Sequence, residues 1–134
     1  MPEGYDTADW AAGNAAEGSY VPVQLFTAED EIKTAPVTVL TGQNLLFGTI
    51  VALNAAGKAV PWDPAGAAPL NAPVGFIATA INTTVPAGDR HAEIYEGGCF
   101  NPDLLVWPAA LDTYLERNSA LRQAGAPFRV KRLL

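Results

Sequence analysis

The chain is poor in the residues that build catalytic and metal sites. Cys99 is the sole cysteine, so no disulfide within the chain can staple the fold, and His91 is the sole histidine. One His and one Cys do not make the three or four ligands of a zinc site, and the acidic Glu29-Asp30-Glu31 lacks the alternating carboxylates and glycine of a calcium loop. Gly97-Gly98 is followed by Cys-Phe rather than by a lysine and a helix, which excludes a phosphate-binding loop. No metal or cofactor is expected. No apolar run approaches the ~20 residues of a membrane helix, and Met1-Pro2-Glu3-Gly4-Tyr5-Asp6 lacks the basic and apolar segments of a signal peptide. The reading is a protein with no membrane partner.

Charge is scarce as well. Charged residues make up 16% of the chain while 49% is hydrophobic, against a usual charged share of about 25%. So few charges coat a monomer thinly, and some apolar surface is expected to belong to an interface. The formal net charge of −6 excludes the concentrated cationic surface that direct nucleic-acid binding needs. The charges present are segregated. Residues 1–31 carry seven acids and no base, and residues 117–134 carry Arg117, Arg122, Arg129, Lys131 and Arg132 and no acid. Ends of opposite sign suit steering toward a partner or toward neighbouring copies.

At 134 residues the chain has room for one modest core. Residues 1–20 hold Gly, Ala, Asn and acids with isolated aromatics Tyr5, Trp10 and Tyr20 and no apolar periodicity, so they read as a flexible arm. An arm with a few large side chains suits folding onto a partner, the aromatics acting as anchors. Residues 21–134 read as the domain. Strand patterns occupy Val21–Phe26, Pro36–Leu40, Leu45–Leu53 and Lys58–Val60, the last two joined as a hairpin through Asn54-Ala55-Ala56-Gly57. Three prolines make Asp63–Pro73 a loop. Val74–Ile81 reads as a buried strand in which Gly75 marks a bulge or a close backbone approach, and a further strand begins at Arg90. One helix is expected to start at Pro108, present Leu111, Tyr114, Leu115, Asn118 and Leu121 or Arg122 on one face, and stop at Gly125 and Pro127. Phe128–Leu134 reads as a terminal strand. The fold class is α+β and β-rich: a small domain of short antiparallel strands with one short C-terminal helix and a flexible N-terminal arm.

The catalytic inventory is thin. His91 alternates with apolar neighbours in its strand, which suits a packed or solvent-facing imidazole better than a general base. Nothing beyond closeness in sequence activates Cys99 as a nucleophile. Trp62 and Trp107, before a turn and at the expected helix start, suit a core or a subunit interface, where the ring packs and the indole N–H finds a partner.

One ordered set of segments carries more. Val60, Trp62 and Asp63 end a strand pair; Val74, Gly75, Phe76 and Ile77 form an apolar strand; Tyr95, Gly98 and Phe100 surround a glycine pair; and Val106, Trp107 and Pro108 precede the helix. In this order they resemble the head decoration (capsid cement) proteins of lambda-like bacteriophages, over about residues 45–134. The N-terminal section, the Asp63–Pro73 loop and the Val85–Arg90 turn are longer than the family pattern. The resemblance implies a non-enzymatic structural protein of the virion, made in the host cytoplasm and carried on the outer surface of the capsid. It implies homotrimers at local three-fold sites of the expanded head, with the major capsid protein as partner and stabilisation against packaged DNA as the role. On this reading Tyr5, Trp10 and Tyr20 are capsid-binding arm residues, and Trp62, Phe76, Tyr95, Phe100, Trp107 and Pro108 are core or trimer-interface residues. The alternative is a small β-rich module that binds a host surface or carbohydrate.

Overall fold

In the computed structural model, which describes residues 24–132, the apolar and β-branched runs form strands and one α-helix follows them. In chain order the elements are β1 (Lys33–Val39), β2 (Asn44–Leu45), β3 (Ile50–Leu53), β4 (Ala59–Pro61), β5 (Pro73–Ile77), β6 (Ile81–Asn82) and β7 (Arg90–Phe100). A 3-10 turn (Pro102–Leu104), α1 (Tyr114–Ala124) and β8 (Phe128–Val130) complete them. The main sheet runs β1-β4-β3-β5-β7-β8, and β1 also pairs along β7, so the first five strands close on themselves as a small barrel. β2 and β6 form a separate two-stranded pair.

The β-rich domain with one short helix is present, but its sheet departs from the expected set of short antiparallel strands. β7 is eleven residues long, and the β1–β4 and β7–β8 pairings are parallel. The closing contact between β1 and β4 is a single register pair, Val39 with Ala59. There the Leu40 N–H donates to the Ala59 carbonyl at 3.2 Å. Because backbone groups alternate sides along a strand, residues 34, 36 and 38 point to that same side, where Pro36 has no N–H to offer. A proline on this edge, otherwise open among the described residues, blunts it against pairing with another chain.

Burial sorts the strands into two cores. Val39, Leu45, Val51, Ala59, Ile77 and Ile94, with Ala35, Val37, Leu53, Val74 and Ala92 around them, fill the barrel with contributions from each of its five strands. Ile50, Ala52, Trp62, Phe76, Phe100, Leu105, Leu121, Phe128 and Val130 form a second core on the outer wall, under α1 and β8. β3 therefore faces apolar surroundings on both sides, Ile50 and Ala52 outward and Val51 and Leu53 inward, which explains its unbroken apolar run.

Three boundaries differ from the sequence reading, each for a local reason. The Leu45–Leu53 run breaks at Gly48, whose φ is +86° and where a Cβ would lie 2.6 Å from the Leu104 carbonyl oxygen. The Val74–Ile81 run ends as a strand at Ile77, and Ile81 joins β6 instead. The helix begins at Tyr114 rather than Pro108, because the Thr113 Oγ1 accepts from the Glu116 N–H at 3.2 Å and caps it there. Leu115 consequently points to solvent, 75% exposed, while Leu121 is buried. The expected stop holds: Gly125 closes the helix in the left-handed region at φ +70°. Of the expected Val21–Phe26 strand, Val21–Val23 lie outside the described residues, and Phe26 makes an isolated bridge to Phe100.

Candidate functional site

The site is built where residues 24–32 run beside the C-terminal half of β7. The Thr27 N–H donates to the Cys99 carbonyl at 3.1 Å and the Asn101 N–H donates to the Leu25 carbonyl at 2.7 Å, pairing this segment antiparallel to β7 on the edge that β1 continues. On the other edge, Gly98, Cys99 and Phe100 pair with Phe128, Arg129 and Val130 of β8. β7 thus ties together the barrel, the outer core and the incoming N-terminal segment.

Aromatic rings follow this junction. Phe76 sits at their centre, fully buried, with ring centroids 4.7 Å from Phe100, 5.2 Å from Tyr95 and 5.7 Å from Phe128. Tyr95 is half-buried and lies 5.9 Å from Phe26, which is 40% exposed. On the far side Phe47, 39% exposed, meets Phe76 edge-on. Edge-to-face pairs at these separations contribute about 0.5–1.5 kcal/mol each beyond area burial. Ile32, 39% exposed, covers Gly98, where a Cβ would sit 2.9 Å from both the Ile32 Cδ1 and the Phe100 ring. The result is a fixed surface strip of Phe26, Ile32 and Tyr95 at the point where the N-terminal segment enters the fold.

The residues singled out from sequence fall as follows. Phe76, Tyr95 and Phe100 come into direct ring contact. Trp62 is buried in the same core and its Nε1 donates to the Asn71 carbonyl at 3.0 Å. Trp107 is half-buried against that core; its Nε1 donates to the Pro102 carbonyl at 2.8 Å, and the Arg117 guanidinium lies 5.3 Å over its ring. Pro108 is half-buried in a turn, ahead of the helix instead of inside it. Tyr5, Trp10 and Tyr20 lie outside the described residues. Sequence reasoning missed Phe26, Ile32, Phe47 and Phe128 as site residues. Phe26 and Phe128 stood in apolar runs read only as strands, and the signal available was their aromatic character next to a chain reversal.

The groups that might have carried chemistry are kept apart. His91 is exposed and its Nδ1 lies 3.3 Å from the Thr38 Oγ1, whereas Cys99 is buried with its Sγ 3.5 Å from the Thr27 Oγ1. Eight positions along one strand separate them by about 25 Å. No cluster of three or more His, Cys, Asp or Glu side chains occurs among the described residues. At the opposite end of the barrel, Asp89 accepts from the Lys58 ammonium at 2.5 Å and from the Thr41 N–H at 2.8 Å. The Lys58 hydrogen bond, then that of Thr41, holds its carboxyl below the ordinary aspartate range.

Comparison with known proteins places this geometry. The family model of the bacteriophage lambda head decoration protein D matches residues 11–128. It reaches well N-terminal of the resemblance seen from residue 45 onward and takes in the segment that pairs with β7. No curated protein matches the chain. A match over so much of the sequence, with Trp62, Trp107 and the β7 junction inside it, identifies a decoration protein of the phage head: the chain belongs to the bacteriophage lambda head decoration protein D family.

Proposed function

We propose that this chain is a cement protein: it binds as a homotrimer at local three-fold sites on the outer surface of the expanded head, grips the major capsid protein through residues 1–20, and stabilises the shell against packaged DNA. The observation that carries the reading is the family match from residue 11 together with the apolar strip of Phe26, Ile32 and Tyr95 where that arm meets the domain. Exposed apolar side chains held rigidly beside a chain rich in isolated aromatics suit a surface that is covered on assembly. Tyr5, Trp10 and Tyr20 are the proposed anchors on the capsid protein. Trp62, Phe76 and Phe100 hold the domain together, with Tyr95, Trp107 and Pro108, each half-buried, as candidates for the face shared between copies.

Three arms in one assembly convert weak individual contacts into tight attachment. Binding to the expanded shell and not to the procapsid then stabilises the former by mass action. The test is co-sedimentation of the chain with procapsids and with expanded heads that lack it. Saturable binding to expanded heads alone supports the reading, and loss of that binding on deleting residues 1–20, with the domain still folded, assigns it to the arm. Absence of binding to either particle overturns it.

A further inference from the structure

The C-terminal bases are divided in how they are used. Arg117 lies over Trp107, and Arg132 lies 5.2 Å over the Tyr114 ring while pairing with Asp103 at 2.9 Å. Arg122 and Arg129, by contrast, meet no carboxylate and no aromatic face among the described residues; Arg122 has only a 3.4 Å contact from its Nε to the Asn118 Oδ1. These two exposed guanidiniums flank a groove of about 380 Å³ between α1 and β8. Its floor is apolar, formed by Leu121, Ala126 and Phe128, and among the described residues no acidic side chain lines it. A cleft of this size and make-up accepts one large apolar side chain with an anionic neighbour.

The chain itself contains that chemistry. Upstream of Gln24 the sequence holds Tyr5-Asp6 and Asp9-Trp10, two adjacent pairs of an aromatic and an acid, with no base anywhere in residues 1–31. Trp10 is fourteen residues from Gln24, an extended reach of about 46 Å. The groove begins only two strand spacings, about 10 Å, from the segment holding Leu25, since β8 lies across β7 from it. We infer that the groove between α1 and β8 receives the chain's own N-terminal arm in the free protein, with Trp10 or Tyr5 over the Leu121 and Phe128 floor and Asp9 or Asp6 between Arg122 and Arg129. The pairing of an aromatic with a guanidinium repeats what the molecule already does at Trp107 and Tyr114. Its exposed charge pairs make the docking shallow and exchangeable, so the domain competes with any other surface the arm binds. The inference goes beyond the capsid reading and does not rest on it.

The experiment is paramagnetic relaxation enhancement on the full chain carrying Thr7→Cys with a nitroxide; Cys99 is buried and stays unlabelled. The amide signals of Gly125, Ala126 and Arg129 are expected to lose most of their intensity. They should recover in an Arg122→Glu, Arg129→Glu variant whose remaining spectrum is unchanged, and also near 1 M salt, where the screening length falls to about 3 Å. A mixture of labelled unenriched chain with unlabelled enriched chain is expected to show no loss. Full intensity at these amides in the labelled chain, equal loss in the charge-reversed variant, or equal loss in the mixture each overturns docking of the chain's own arm. Head sedimentation of the unmodified chain tests the capsid reading separately.

Discussion

The two cores of this domain are made of different residues. The barrel interior is aliphatic, with Val39, Val51, Ala59, Ile77 and Ile94 at its centre, whereas the outer core under α1 and β8 is aromatic, with Phe76, Phe100, Phe128 and Trp62. The reason is space. Five strands closed on one another leave a narrow interior that small and β-branched side chains fill, and the outer wall, bounded by a helix and a parallel strand, has room for rings to meet edge to face. Adjacent residues show the difference most directly: on β5, Phe76 points into one core and Ile77 into the other, and both are fully buried.

That contrast can be broken by mutation. Phe76→Ala is expected to cost about 3–5 kcal/mol in denaturant unfolding, because it empties the centre of the ring cluster. A loss below about 1 kcal/mol would mean that the cluster collapses around the void and the rings do not act as a unit. Thr83→Val should cost about 1–3 kcal/mol, since the buried Thr83 Oγ1 accepts from the Gln43 N–H at 2.8 Å and donates to the Leu40 carbonyl at 2.7 Å, and valine leaves both groups unpaired. Ile77→Val, on the barrel side, should cost only about 0.5–1.5 kcal/mol; an effect equal to that of Phe76→Ala would erase the distinction between the cores. The smallest effect belongs to Asp89. Its folded carboxyl titrates below its unfolded value, so its contribution is fully present above about pH 4 and is lost as pH falls through the lower folded value. Acid unfolding of Asp89→Asn should lack this increment, and identical acid profiles for the two proteins would remove the ion pair with Lys58 from the stability of the barrel end.

Much of this fold was legible in the sequence where the signal was local. The Asn54–Gly57 hairpin, the Asp63–Pro73 loop, the close approach at Gly75 and the Gly125 stop all follow from the residues themselves. At Gly75 a Cβ would lie 2.4 Å from the Tyr95 carbonyl oxygen. What was not legible depends on distant partners. Gly48 breaks an apolar run because the Leu104 carbonyl crowds it from more than fifty positions away, and barrel closure rests on Val39 meeting Ala59. The helix start was legible but outweighed. Pro108 suits a first turn, yet Thr113 and Glu116 stand at the spacing of a capping box, and Leu115 and Leu121 lie about 120° apart on a helix and cannot share a face. For the site, Phe76 and Phe100 stand out in the sequence with the tryptophans and tyrosines, whereas Phe26 stands in an apolar run that reads only as a strand and nothing local marks Ile32, so the strip they form emerged only with the fold.

The pairing of Leu25 to Thr27 along β7 also decides how the molecule carries a pull. Antiparallel hydrogen bonds lie across the strand axis, so tension entering at Gln24 along that axis loads the Thr27 and Asn101 N–H bonds side by side rather than one after the other. The joint is in shear, and the force passes directly into a strand that both cores grip, through Ile94 on one side and Phe100 on the other.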